Sequence, residues 1–232
     1  MTESSQLPVM NRLIAGLPLT ERNALQNYCV PVELAFGDVL CTQHERYTHA
    51  YFPSTAIISL MASVKGHPPM ELGMIGHEGM LGVSLLLAVD LAPQRAIVQG
   101  PGTALQITKR GLRDLLPDSP VLHKSLQRYF FRLMTQTLQT TVCTCFHLVD
   151  ARLVRWLLMT HDRAHADDFH LTHQFLADML GVQRSAVTIA SGILKDHGLI
   201  EYSRGKITIL DRAGLEAAAC DCYAAERFTI AD

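Results

Sequence analysis

The residues best placed to do chemistry lie between His173 and Gly192. Within that window Leu176, Leu180, Val182, Val187 and Ala190 occupy inward apolar positions, Ala177 is the small residue at a helix crossing, and Gly181 is the turn residue. A second helix crossing the first at a steep angle leaves no room for a bulky side chain at 177, and the tight link needs a residue that tolerates positive φ. This is the pattern of a helix-turn-helix, with Thr172 where an N-cap belongs. Arg184 then opens the second helix, where its guanidinium can donate two hydrogen bonds to a guanine edge. Gln183, Ser185 and Thr188 share that surface and can reach bases or phosphates, and Thr172 borders it. A solitary arginine at a helix start is ordinarily just solvated; its position in the motif is what gives it a reading role. Beyond the window, residues 199–202 and 207–210 alternate faces around the basic turn Ser203-Arg204-Gly205-Lys206, which reads as a two-stranded wing adding Arg204 and Lys206 to the same face.

Two Cys-x-Cys pairs, Cys143/Cys145 and Cys220/Cys222, have the composition of metal ligands. Both fall in stretches that read as helical, where residues two apart lie about 200° round the axis and cannot share one ion. Free thiols are therefore expected, with no metal site and no cofactor. His161, His165, His170 and His173 gather near a polar loop, and His44, His67 and His77 fall in predicted turns. A haem- or metal-dependent sensor using some of these histidines stays open as an alternative.

The elements that must position these groups follow from the rest of the chain. Its 232 residues are about one and a half times the usual ~150-residue unit, so one or two domains are expected. Apolar residues make up 48%, enough for a core, while 20 Lys+Arg against 22 Asp+Glu excludes both a disordered tail and a protein that coats nucleic acid by bulk charge. Residues 149–232 are slightly acidic, so any DNA contact must come from the local face carrying Arg184, Lys195, Arg204 and Lys206. The longest nearly unbroken apolar stretch, residues 80–89, is about half of the ~20 residues a membrane-spanning helix needs. The polar start (Met1 to Ser5) lacks the pattern of a signal peptide, and six cysteines are too sparse for a disulfide scaffold. A cytoplasmic protein with no membrane partner is expected.

Between residues 31 and 108, β-prone runs at 38–42, 48–52, 56–64, 70–75, 95–99 and 103–108 alternate with Gly/Pro turn signals, indicating a compact β unit. Helices are predicted at 19–28 before it and 109–116 after it. From Val121 to Leu148 there is no Pro and no Gly. Leu122, Leu126, Tyr129, Leu133, Gln136, Thr140, Cys143 and His147 alternate in steps of four and three, the spacing of a helix that pairs along one seam. This predicts a dimer through that seam, with Gln136 and Thr140 as coupling positions across it. A second stripe (Phe130, Met134, Leu138, Val142, Cys145) is left to cover the β unit. A helix over 152–159, a polar loop over 161–170 and two short helices around Gly181 complete the reading.

The order of parts resembles the cyclic-AMP receptor protein/FNR superfamily of bacterial transcription regulators, over nearly the whole chain. The segment Leu148-Val149-Asp150-Ala151-Arg152-Leu153 is similar to the family's hinge, and residues 176–200 to its DNA-reading module. The resemblance implies an α+β fold: a cyclic-nucleotide-binding-like β-roll over 1–118, a dimerisation helix over 119–148, and a winged helix-turn-helix over 149–232. It further implies a homodimer on two-fold symmetric double-stranded DNA, RNA polymerase as a partner, and control by a small-molecule effector in the roll. Departures from the family pattern are specific. Gly79-Met80-Leu81 stands where the family has its ribose-binding Gly-Glu-Leu, so Met80 replaces the Glu; Gln94-Arg95 stands at the phosphate-binding Arg-Ser. A buried cyclic phosphate without a charge partner is unfavourable, and Arg95, shifted by one residue, would point to the other face of its strand. These positions, with Gln136 and Thr140, form the candidate effector set, and cyclic AMP is not expected to bind. The reading helix keeps Arg184 but has Ser185 and Ile189 where the family motif Arg-Glu-Thr-Val-x-Arg has Glu and Arg, so a different operator is expected.

Two other classes compete. An enzyme on a cupin-type roll would need clustered His and Glu on adjacent strands, and the roll's histidines are scattered. A ligand-binding module whose winged helix contacts protein would show no salt-sensitive DNA binding.

Overall fold

The computed structural model describes residues 10–164 and 166–230, with side chains up to residue 225; His165 and the polar start of the chain lie outside the described residues. Two antiparallel sheets make the N-terminal unit. One has the order β1-β7-β3 (β1 Cys29–Leu34, β7 Gly102–Thr108, β3 His49–Pro53) and the other β2-β6-β4-β5 (β2 Val39–Cys41, β6 Arg95–Gly100, β4 Ile57–Ala62, β5 Met70–Ile75). The predicted strands and the helices α2 (Leu19–Tyr28) and α3 (Lys109–Leu115) are all present, behind a one-turn α1 (Arg12–Ala15). Strand β1 was not expected. It follows α2 with no turn signal between them, and its side chains are mostly exposed, so it lacks the alternation that marks a half-buried strand. The core joins both sheets: Ile14, Leu25, Phe52, Ile58, Ile75 and Met80 are fully buried around Leu122 and Leu126 of the long helix α4 (Pro120–Phe146).

The burial of the two stripes of α4 is the reverse of what the sequence suggested. Leu122, Leu126, Tyr129, Gln136 and Cys143, the expected pairing seam, are buried within their own chain. Gln136 Oε1 accepts from the Met74 backbone N–H at 2.7 Å, and Thr140 Oγ1 accepts from Arg155 at 3.2 Å, so neither lies on a surface open to a partner helix. In the other stripe Phe130 packs on the roll, but Met134, Leu138 and Val142 are exposed, in line with Phe131 and Phe146. Heptad spacing states that a stripe will be buried, not by what. Here the roll covers the stripe that carries the larger apolar residues over the first half of α4. The helix start is held from a distance, the Glu21 carboxylate accepting from the N–H groups of Val121 and Leu122 at 3.2 and 2.9 Å.

Past a short link, α5 (Val149–Ala164), α6 (His173–Leu180), α7 (Arg184–Asp196), α8 (Arg212–Ala218) and α9 (Asp221–Ile230) surround a sheet of order β8-β10-β9 (β8 Asp168–His170, β10 Lys206–Ile209, β9 Ile200–Ser203). The predicted polar loop over 161–170 is instead the last turn of α5 and strand β8, which inserts Phe169 and adds a third strand to the wing. This reading head is packed onto the roll. Ile57, Met61 and Met74 share one core with Leu153, Trp156, Leu157, Leu176 and Val187. Trp156 donates to Glu71 at 3.1 Å, and Arg163 meets Glu78 at 2.8 Å in a pair largely closed to water. Removing one partner of such a pair strands a buried charge.

Candidate nucleic-acid interface

Thr172 accepts from the Phe175 N–H at 3.1 Å and so starts α6. Gly181 ends it at φ 63°, in the left-handed region, with the Met70 side chain of β5 packed closely over its Cα. Arg152 donates to the Leu180 carbonyl, satisfying one of the last acceptors of α6. Helix α7 then turns Val187, Ala190 and Leu194 inward, and Gln183, Arg184, Ser185, Thr188 and Lys195 outward. Ile189 and Ile193 share the outward surface; Ile189 is 67% exposed and suited to touch a thymine methyl. Its place five residues into the reading helix, on the side away from Val187, was the signal in the sequence.

The wing meets this face at Arg204 and Gly205, whose φ angles of 51° and 79° make the two-residue hairpin turn that matches strand twist. Arg204 is exposed at the tip. Lys206 is not equivalent: its Nζ lies 3.0 Å from Asp168, whose carboxyl is held below the usual range by the Thr208 hydroxyl and by Lys206. The His173 ring stacks on Tyr202 with centroids 4.0 Å apart, and its Nδ1 lies 3.0 Å from the Thr188 hydroxyl. Burial, with the charge of Arg184, lowers the His173 pKa and so favours the neutral ring. Thr188 is therefore partly engaged in tying α6, α7 and the wing together, a network whose members His173 and Tyr202 the motif had marked only as flanking positions.

The candidate effector residues divide. Met80, Leu81 and Gln94 line a cavity of about 260 Å³ together with Tyr47, Leu60, Ile75, Val83, Phe130, Leu133, Met134, Thr137 and Leu138. Gly79 lies instead against the Tyr129 ring, and its carbonyl accepts from Asn11 at 2.8 Å. Arg95 is exposed, and Gln136 and Thr140 face the interior elsewhere on α4. None of the residues lining this cavity is ionised.

The six cysteines are free thiols, as expected, but four of the ligand-type side chains are neighbours in space. Cys220 falls in the break between α8 and α9, so the helical argument against its pairing with Cys222 does not apply. Cys143, His147, Cys220 and Cys222 come together, with their ligand atoms within 4.8 Å of one another, while Cys145 points outward.

Residues 151–218 match the Crp-like helix-turn-helix domain. No curated protein matches the chain by sequence. Among solved structures it is similar to FixK2 from Bradyrhizobium japonicum (TM-score 0.70, 12% identity, 83% of this chain and 98% of that one). It is also similar to CLP, a c-di-GMP responsive global regulator from Xanthomonas campestris (TM-score 0.69, 15% identity, 84% and 100%). A third is a Crp/Fnr-family transcriptional regulator from Thermus thermophilus (TM-score 0.65, 21% identity, 82% and 98%). No helix among the described residues is long and apolar enough to cross a membrane. Residues 151–218 form a Crp-like helix-turn-helix domain, and the chain that carries them has the fold of the Crp/Fnr superfamily.

Proposed function

We propose that this protein is a DNA-binding transcription regulator that works as a homodimer on a two-fold symmetric site. The observation that carries the reading is the outward face of α7, where Gln183, Arg184, Ser185 and Ile189 stand free beside the exposed tip Arg204. Arg184 reads a base edge, Arg204 and Lys195 meet phosphates, and the His173–Tyr202 stack holds helix and wing in register. Dimerisation uses the exposed stripe Phe131, Met134, Leu138, Val142 and Phe146, an apolar row too long to leave in water. The signal is a small, uncharged, mainly apolar molecule in the roll cavity, because its lining offers Gln94 and hydroxyls but no cation for a phosphate. Met134 and Leu138 belong to both the cavity wall and the dimer stripe, so filling the cavity biases the packing of α4 and, through it, the two reading heads. RNA polymerase is the partner such a regulator would engage.

Selection from a random duplex library with the purified protein tests this. The expected outcome is an enriched palindrome whose binding weakens steeply with salt. A protein that enriches nothing, with or without a metabolite extract, is not a regulator of this type. Micromolar cyclic AMP should leave the Tm unchanged; a rise of several degrees would overturn the reading of the cavity.

A further inference from the structure

Cys143 sits in the last turn of α4, His147 caps that helix, Cys220 occupies the α8–α9 break and Cys222 lies in the first turn of α9. Cys143 Sγ and Cys220 Sγ are 3.8 Å apart, and Cys222 Sγ is 3.5 Å from His147 Nδ1. A tetrahedral zinc ion with Zn–S of about 2.3 Å and Zn–N of about 2.0 Å has ligand edges of about 3.8 Å between sulfurs and about 3.5 Å between sulfur and nitrogen. The Cys143–Cys220 and Cys222–His147 separations match those edges, and all four ligand atoms lie within 4.8 Å of one another. A disulfide needs its sulfurs at about 2.05 Å, far closer than these. Cys143 and Cys222 are buried, and Cys220 and His147 half-buried, so the group is enclosed without being sealed. Two guanidiniums, Arg155 and Arg152, act electrostatically on Cys143.

We propose that Cys143, His147, Cys220 and Cys222 bind one Zn²⁺ ion, which staples the end of the long helix to the C-terminal helices of the reading head. Each of the three thiols gives up a proton to solvent and binds as thiolate, and His147 binds through neutral Nδ1, so no electron changes hands. Two positive charges on the metal against three thiolates leave the site at minus one, which Arg152 and Arg155 offset. Three thiolates select a thiophilic ion, and the imidazole with tetrahedral spacing favours zinc over copper(I) or an iron–sulfur cluster. His147 lies two residues before α5 begins, so the ion fixes the link between α4 and the DNA-reading domain. The site stands independently of whether the helix-turn-helix reads DNA.

The test uses the full chain purified in reductant without chelator. Elemental analysis is expected to find about one zinc per chain, and cobalt substitution to give the intense visible bands and near-ultraviolet thiolate absorption of a tetrahedral site. Cys220→Ser and Cys222→Ser lose the zinc, whereas Cys145→Ser and Cys41→Ser retain it. Should the ligand variants not fold, wild-type protein stripped by a chelator and titrated with zinc alone decides the matter. The Tm then rises with saturation at one equivalent, and hydrogen exchange slows in 143–149 and 219–225 more than elsewhere. Absence of zinc with no rise in Tm, an octahedral cobalt spectrum, zinc retained by the folded ligand variants, or a Cys143–Cys220 disulfide in the native protein each overturns the proposal.

Discussion

The two faces of α4 both carry large apolar residues and have opposite fates. Leu122, Leu126 and Tyr129 are enclosed by the roll, and Gln136 and Cys143 lie further along the same enclosed face, whereas Phe131, Met134, Leu138, Val142 and Phe146 meet solvent. The enclosed face contains polar atoms that find partners inside the chain, such as Gln136 on the Met74 N–H. The exposed face carries a row of large apolar side chains that stays open to solvent among the described residues. An internal seam can tolerate polar residues wherever the fold supplies a donor or acceptor, while a surface kept for a second copy must be satisfied by that copy alone. The polar positions of α4 at Gln136 and Thr140 therefore point toward their own chain.

Substitutions that separate the faces give the largest effects. Leu126→Ala should cost about 2–5 kcal/mol of folding stability, seen as a lower urea midpoint, because it leaves a cavity in the roll core. Leu138→Asp should instead yield a folded monomer by sedimentation at concentrations where the wild type is dimeric. The reverse pairing of outcomes would exchange the roles of the two faces.

The enclosed side also predicts a pH dependence. Burial pushes the Glu71 carboxyl up to about 7, from an ordinary value near 4.5, despite the opposing hydrogen bonds and arginines around it. The folded state thus holds a proton that the unfolded chain releases near pH 4.5. This contribution to stability is complete below that pH and is lost as pH rises through about 7, a span worth on the order of 3 kcal/mol. Glu71→Gln should flatten that slope and raise the Tm at pH 8; an unchanged slope means that Glu71 is ionised in the fold.

Smaller effects belong to the DNA face. Arg184→Ala should cost roughly 1–3 kcal/mol on the selected site and relax preference at one base pair per half-site. Equal loss on random DNA would make it a phosphate contact. Arg204→Ala should weaken all sequences alike and lower the salt slope by about one. Lys206→Ala should do less, because Asp168 already holds that ammonium at 3.0 Å.

Most elements were legible from local signals. Gly/Pro punctuation marked the roll strands, and the apolar positions around Ala177 and Gly181 marked the reading helices, because a tight helical turn restricts residue types wherever it occurs. Strand β1 was missed for want of alternation, and β8 because three residues between polar neighbours show no period. At the DNA face, Arg184, Ser185 and Gln183 emerge exposed as the motif implied, while Lys206 and Thr188 acquire partners from β8 and from α6 that lie far off in the chain.

The amino-acid sequence by itself determined the order of parts, the helix-turn-helix and the exposed arginine that opens its second helix, since these depend on spacings within a few turns of chain. Only the tertiary structure decided which stripe of α4 faces outward, which effector candidates line the cavity, and that Cys143 and His147 meet Cys220 and Cys222. Each of those outcomes depends on segments brought together from distant positions, and helical periodicity records that a residue is buried without recording which neighbour buries it.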